Sequence, residues 1–137
     1  MKKVVVPGLI AGIAMFITGM GLNWLFGFVF PTVAAEYQNP ALFRPWSDPL
    51  MSYIFAPPFV LGIILAWAWD KTKDLFKERE VFWRCCQFAG AYWLISIPGM
   101  LISYSTFPVS LTMIVSWSLS GFAQAVVAGW IFAKRNP

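Results

Sequence analysis

The chain has 137 residues, of which 59% are hydrophobic and 12% are charged, and its mean hydropathy is +0.68. Soluble domains carry about 25% charged and about 45–50% apolar residues, and a domain of this size still exposes roughly a third of its unfolded-chain surface. This composition excludes an ordinary soluble globule and predicts an integral membrane protein whose main partner is the lipid bilayer. The net charge of +4 comes from basic residues that flank apolar segments, so no nucleic-acid binding is expected.

Four segments are apolar enough to span a membrane, at about residues 4–30, 49–69, 81–103 and 108–132. A spanning helix needs about 20 mostly apolar residues, because the hydrocarbon core is about 30 Å thick and an α-helix rises about 1.5 Å per residue. The predicted fold class is therefore all-α. We expect one membrane domain, residues 1–137, built as a bundle of four antiparallel transmembrane helices.

The first segment carries a strip of small residues at helical spacing. Gly8 and Gly12 form a GxxxG pair, and Gly19 and Asn23 continue the same face. A strip without bulky side chains lets another helix backbone approach closely. Two interpretations remain open: packing against a helix of the same chain, or association with a second copy. Asn23 is expected to hydrogen-bond a neighbouring helix or to contact a ligand.

The second segment has a clear beginning and a predicted discontinuity. Asp48 suits the N-cap and Pro49 suits the first helical position, where a missing N–H is tolerated. Arg44 and Asp48 are expected to form either a salt bridge that secures the preceding loop or the rim of a ligand site. Each proline of the Pro57-Pro58 pair removes a helical N–H, so the helix should kink or break there, as a structural bend or as a gate.

A ligand pocket is predicted beside this discontinuity. Prolines leave backbone carbonyls without donors, and in hydrocarbon such groups need a hydroxyl, a water or a cavity. Several aromatic and polar residues lie at comparable depths in the four segments. The candidate ligand-binding residues are Asn23, Trp24, Arg44, Asp48, Ser52, Tyr53, Trp93 and Trp117.

The third and fourth segments carry cysteines and a polar strip. Cys85 and Cys86 are expected to be small buried residues, with reactive or lipidated thiols as the alternative. The Pro98-Gly99 pair predicts a second break. Polar residues recur every four positions from Thr112, and this face should hydrogen-bond to other helices. The predicted helix-association residues are Gly8, Gly12, Gly19, Ser116, Ser120 and Gln124.

The distribution of basic residues predicts the topology. With both termini in the cytoplasm, every Lys and Arg except Arg44 lies on the inner side, which is the positive-inside pattern. Residues 31–48 then form the outer loop and residues 70–80 a charged cytoplasmic loop, with Leu75 and Phe76 turned to the membrane. The predicted location is the plasma (inner) membrane of a prokaryote.

The sequence offers few catalytic groups. It has no histidine, which excludes histidine acid–base catalysis and histidine-ligated metal sites. No Asp, Glu, Lys or Arg falls inside the four segments, and ion-driven pumps usually carry such groups at membrane depth. No cofactor and no metal site are predicted.

Three functions remain open. The leading hypothesis is a protein that is not an enzyme and acts through helix association, as a homo-oligomer or a small subunit of a membrane complex; its native mass in mild detergent tests this. The alternative is a small transporter or channel for a neutral or apolar solute, with the proline-kinked helices as gates. The third is a lipid-modifying membrane enzyme that uses Asp48, Glu36 or Cys85.

Overall fold

The computed structural model describes residues 2–76 and 80–137, and within them it contains helices and no strand. The elements are α1 (Lys2–Val29), α2 (Pro31–Tyr37), a 3₁₀ helix (Pro49–Phe55), α3 (Pro57–Thr72), a short 3₁₀ helix (Lys73–Leu75), α4 (Val81–Thr106) and α5 (Leu111–Arg135). Four stretches are long and apolar enough to cross a membrane: Lys2–Val29, Pro49–Leu75, Val81–Thr106 and Leu111–Arg135. The all-α fold class and the four apolar spans are thereby confirmed.

The outer surface of the bundle is apolar. Phe28 and Ile95, on α1 and α4, expose 75% and 79% of their surface. In the most apolar part of each span only 17–28% of the residues are buried inside the protein. Helices that are hydrophobic all round belong in a protein interior or in a membrane, so this surface is compatible with an integral membrane location.

Glycines bring α1 and α3 into close contact. A Cβ atom on Gly8 would lie 2.7 Å from the Ile63 Cα, and one on Gly12 would lie 2.9 Å from the Phe59 Cα. On the facing helix, a Cβ on Gly62 would overlap the carbonyl oxygen of Gly8. The small-residue strip of the first segment therefore packs within the chain, which is the first of its two predicted interpretations.

An aromatic core closes one end of the bundle. The fully buried Trp69 ring lies 5.2 Å from that of Phe88, 6.2 Å from Phe76 and 6.4 Å from Phe132, measured between centroids. Phe76, predicted to face the membrane, packs against this core instead, because its ring contacts the rings of Trp69 and Phe88. Leu75 is exposed, and its contact with the membrane stays a prediction.

Hydrogen bonds to Asn136 fasten the end of α5 to α3. The Asn136 side chain donates to the Asp70 carboxylate over 2.8 Å and accepts from Lys73 Nζ over 2.8 Å, while its main-chain oxygen accepts from Trp69 Nε1 over 2.9 Å. Much of the charged loop predicted at residues 70–80 is thus helical, because α3 and the short 3₁₀ helix continue to residue 75. Residues 77–79 of that loop lie outside the described residues.

The second span changes helix type at Ala56. Its first half, Pro49–Phe55, is a 3₁₀ helix with no buried residue, and α3 begins at Pro57. As predicted, Asp48 caps this half: its carboxylate accepts a hydrogen bond from the Leu50 N–H over 2.9 Å. The discontinuity expected at Pro57-Pro58 therefore takes the form of a change from 3₁₀ to α-helical geometry.

The break predicted at Pro98-Gly99 is wrong. Helix α4 runs without interruption from Val81 to Thr106 and contains Pro98. A single proline removes one N–H and can be accommodated by a bend, because neighbouring groups satisfy the one carbonyl that it frees. Two successive prolines remove two adjacent donors, which is why Pro57-Pro58 begins a helix instead.

Three pairs of helices make most of the contacts in the bundle. Helix α1 packs against α3 and α5, and α5 packs against α4. Among the described residues, α3 and α4 have no comparable backbone packing and meet mainly where Trp69 contacts Phe88. The contacts of α1 with α3, α1 with α5 and α4 with α5 therefore hold most of the bundle together.

We predict that Gly62→Ala lowers the melting temperature in detergent. The new Cβ would overlap the Gly8 carbonyl oxygen, and overpacking costs about 1–3 kcal/mol, which exceeds the gain of about 1 kcal/mol from replacing a helical glycine with alanine. Gly90→Ala is the matched control, because its Cβ would meet no atom within 4 Å. Equal melting temperatures for the two variants would contradict the close α1–α3 contact.

Candidate functional site

A partly open cavity of about 280 Å³ lies between the four long helices and beneath α2. Helices α1 and α5 form most of its wall, α2 contributes a tyrosine, and α3 and α4 contribute one residue each. The lining residues are Gly19, Asn23, Phe26, Tyr37, Leu61, Tyr92, Ser116, Trp117, Ser120, Gly121 and Gln124.

The polar strip of α5 faces this cavity. Ser116, Ser120 and Gln124 are spaced by four residues and so share one helix face, over a length of about 12 Å at about 1.5 Å per residue. Ser116 donates to the Met113 carbonyl of its own helix over 2.7 Å. In residues 2–76 and 80–137, the side chains of Ser120 and Gln124 have no hydrogen-bond partner in the protein.

The α1 wall combines a glycine with an amide. A Cβ on Gly19 would lie 3.1 Å from Gln124 Nε2, so the glycine leaves the room that the glutamine side chain occupies. Asn23 lies one helical turn further along α1, lines the cavity and is exposed. Its side chain likewise has no partner among the described residues. Two primary amides therefore offer donors and acceptors to the same space.

Helix α2 forms a roof that is attached to α5 by two hydrogen bonds. The Ser110 N–H donates to the Glu36 carboxylate over 2.9 Å, and Trp117 Nε1 donates to the Tyr37 hydroxyl oxygen over 2.6 Å. Glu36 lies where the first N–H groups of α5 have no helical partner and the helix dipole favours an anion. The pKa of Tyr37 is raised, because burial of the phenol outweighs the hydrogen bond from Trp117. The phenol therefore remains neutral at physiological pH.

Four predicted ligand residues lie apart from this cavity. Arg44 Nη1 and the Asp48 carboxylate form an exposed salt bridge of 2.8 Å. The hydrogen bond from the Leu50 N–H and then the one from Arg44 lower the pKa of Asp48. Ser52 donates to the main chain of its own helix, and Tyr53 is exposed. This group secures the beginning of the second span, and none of its members lines the cavity.

The predicted tryptophans divide between two environments. Trp24 is exposed and stacks on Phe28 with 5.9 Å between ring centroids. Trp93 donates from Nε1 to the Ser118 hydroxyl over 2.7 Å and lies outside the lining. Trp117 does line the cavity. The structure thus brings Asn23 and Trp117 together with four residues predicted for helix association: Gly19, Ser116, Ser120 and Gln124.

Sequence reasoning did not assign Tyr37 and Tyr92 to a site. Tyr37 reaches the cavity only because α2 folds back over the bundle, and no spacing rule predicts that contact. One feature of the sequence could have indicated the cavity: Asn23 in the first segment and the polar strip of the fourth segment lie at similar depths in the membrane. Polar residues at equal depth on two apolar helices tend to face one another across a protein interior.

The lining combines polar and apolar residues and carries no formal charge. It provides hydroxyl and amide groups and no Asp, Glu, Lys or Arg. In the described part of the chain there is no group of three or more His, Cys, Asp or Glu that could hold a metal ion. Cys85 and Cys86 are free thiols, buried and half-buried, and neither lines the cavity. The arrangement is suited to hydrogen bonding with an uncharged polar group.

No protein-family model, curated protein or solved structure matches this chain. The cavity and its surroundings are therefore the basis for the functional proposal.

We predict that Gln124→Leu raises the melting temperature of the ligand-free protein in detergent, because it removes a side-chain amide that has no protein partner. Because Gln124 is half-buried, the gain should be a fraction of the about 1–3 kcal/mol that a fully buried unsatisfied polar group costs. Ser118→Ala is the matched control on the same helix: it removes the hydrogen bond to Trp93 and should lower the melting temperature, since such bonds are worth about 1 kcal/mol or less. A destabilised Gln124→Leu variant would contradict the unpartnered amide.

Proposed function

We propose that this chain is an integral membrane protein whose four spans run antiparallel, with both termini in the cytoplasm of a prokaryotic cell. The order of contacts supports the antiparallel arrangement, because Gly8 lies beside Ile63 and Gly12 beside Phe59. The exposed apolar surface supports membrane insertion. The positive-inside pattern supports the orientation, since Arg44 is the one basic residue on the side opposite the termini.

Reporter fusions test this topology. A fluorescent protein fused after Pro137 should fold in the cytoplasm, and an alkaline phosphatase inserted after Gln38 should be active outside, because that enzyme needs an oxidising compartment for its disulfides. Moving the phosphatase to the position after Pro137 is the control and should abolish its activity. The reverse pattern would overturn the orientation.

The function that the geometry supports best is the binding of a small uncharged ligand within the membrane, as in a carrier or channel for a neutral solute. One observation carries this proposal: the side chains of Asn23, Ser120 and Gln124 border one cavity and have no hydrogen-bond partner in the described residues. Polar groups placed among apolar helices cost free energy unless they are hydrogen-bonded. A ligand or water would supply the missing partners.

The lining favours an uncharged ligand over an ion. A charged group that entered the cavity would lose its hydration and meet hydroxyls, amides and apolar side chains but no opposite charge. Desolvating an ion without a counter-charge costs several kcal/mol, whereas a neutral hydroxyl or amide can exchange its water hydrogen bonds for protein ones. The neutral phenol of Tyr37 extends the same chemistry to the roof.

The residues predicted for helix association pack against other helices of the chain or border the cavity. Gly8 and Gly12 pack against α3, Gly19 lies beside Gln124, and the polar strip of α5 borders the cavity. These contacts favour the solute-binding function over the association function. A homo-oligomer, a membrane-complex subunit and a lipid-modifying enzyme stay predictions, each with its own test in native mass or lipid composition.

Photolabelling with a short neutral alcohol tests the proposed binding. The protein in lipid nanodiscs is exposed to azibutanol, a butanol that carries a diazirine, and the labelled peptides are identified by mass spectrometry. We expect the label to concentrate in residues 19–26 and 116–124. It should fall in the double variant Ser120→Ala, Gln124→Leu and persist in Ser118→Ala, whose side chain faces Trp93. Uniform labelling of all four spans would overturn the proposal.

A further inference from the structure

The first half of the second span does not pack into the core of the bundle. Helices α1 and α3 run past each other so that Gly12 lies beside Phe59, and one turn further Phe16 contacts Phe55 with 5.8 Å between ring centroids. If the second span continued to pack along α1 in this way, its 3₁₀ segment Pro49–Phe55 would lie against the part of α1 that holds Gly19. Instead, no residue of that segment is buried, and apart from the contact of Phe55 with Phe16 its main packing is with the adjoining α3.

The two ends of the bundle are closed. At one end, the aromatic core around Trp69 fills the space between α3, α4 and α5. At the other end, the bonds from Ser110 to Glu36 and from Trp117 to Tyr37 hold α2 over the cavity. The open side of the cavity is therefore lateral, and in a membrane protein a lateral opening leads to the hydrocarbon of the bilayer.

The polar and apolar parts of the site are separated. Phe26 and Leu61 give the cavity apolar edges, while Asn23, Ser120 and Gln124 supply hydrogen-bonding groups inside it. The segment beside the opening is apolar as well, with Leu50, Ile54 and Phe55 exposed. A ligand that satisfies both regions needs a polar head and an apolar tail.

The volume of the cavity and the absence of charge in its lining limit which lipid head groups can fit. A cavity of about 280 Å³ has room for several water molecules. This is enough for a small head with two or three hydroxyl groups and too little for a bulky lipid. The two amides and the serine hydroxyl each donate and accept, which matches hydroxyl groups better than a carboxylate or a phosphate. The chain of such a lipid would remain in the bilayer.

We infer that the cavity takes the hydroxyl-bearing head of an uncharged single-chain lipid, of which a monoacylglycerol is the simplest form, and that its acyl chain leaves sideways past Pro49–Phe55. This inference rests on the proposed binding function and specifies its ligand class. It predicts that the head alone binds weakly, because most apolar contact is made by the chain, and that the chain alone binds weakly, because Asn23 and Gln124 would stay without partners.

Competition against azibutanol labelling tests the inference in nanodiscs of a zwitterionic phospholipid. Three competitors share one oleoyl chain and differ in head group: monooleoylglycerol, oleate and methyl oleate. Glycerol, the fourth competitor, has the head without a chain. Monooleoylglycerol should suppress the label at residues 116–124 at a mole fraction at least about tenfold lower than oleate or methyl oleate, a difference of about 1.4 kcal/mol. Glycerol should compete only at high aqueous concentration.

Variants connect the competition to the residues. Gln124→Leu and, separately, Asn23→Val should each reduce the advantage of monooleoylglycerol over methyl oleate, and Ser118→Ala should leave that advantage unchanged. Equal competition by the three oleoyl compounds would overturn the inference, because it indicates ordinary lipid contact. Competition by glycerol equal to that by monooleoylglycerol would overturn it in favour of a small soluble solute, and the proposed function would survive. Absence of azibutanol label from residues 19–26 and 116–124 would overturn both.

Discussion

The close packing of α1 is the constraint on which the other helices depend. On one side its glycines allow α3 to approach at backbone distance, since side chains at Gly8 and Gly12 would overlap Ile63 and Phe59. On the other side Gly19 leaves space for Gln124 of α5. Because α5 also packs against α4, the position of α1 decides how the remaining spans are arranged. The same helix sets the depth at which the polar strip of α5 meets Asn23, and so it sets the composition of the cavity.

The proline pair decides how the first half of the second span packs. Helix α3 begins at Pro57, and the preceding Pro49–Phe55 segment lies outside the core as a 3₁₀ helix. The capping bond from Leu50 to Asp48 and the Arg44–Asp48 salt bridge stabilise the beginning of that segment without burying it. This segment therefore lies on the access route that we infer for the cavity.

Much of the fold could be predicted from sequence, and much of the site could not. Apolar length predicts the four spans, and local chemistry predicts the Asp48 cap, because both depend on residues close in the chain. The cavity depends on which helices face one another and on the docking of α2 over α5, which Glu36 and Tyr37 secure through partners more than 70 residues away. Residue types alone could not separate a strip that joins helices from one that borders a cavity, since both need polar side chains every four residues. Ser120 and Gln124 were therefore assigned to association.

Accessibility of position 120 to a small polar reagent tests most directly whether a polar cavity exists inside the bundle. In a background with Cys85→Ala and Cys86→Ala, the Ser120→Cys and Ser118→Cys variants are reconstituted in nanodiscs and treated with a neutral, water-soluble methanethiosulfonate. Ser120 borders the cavity, whereas Ser118 accepts a hydrogen bond from Trp93 at the contact between α4 and α5. The cavity predicts that the thiol at position 120 reacts much faster than the thiol at position 118 and that azibutanol slows the reaction at position 120 alone. Equally slow reaction at both positions, unaffected by azibutanol, would contradict a polar cavity at this place.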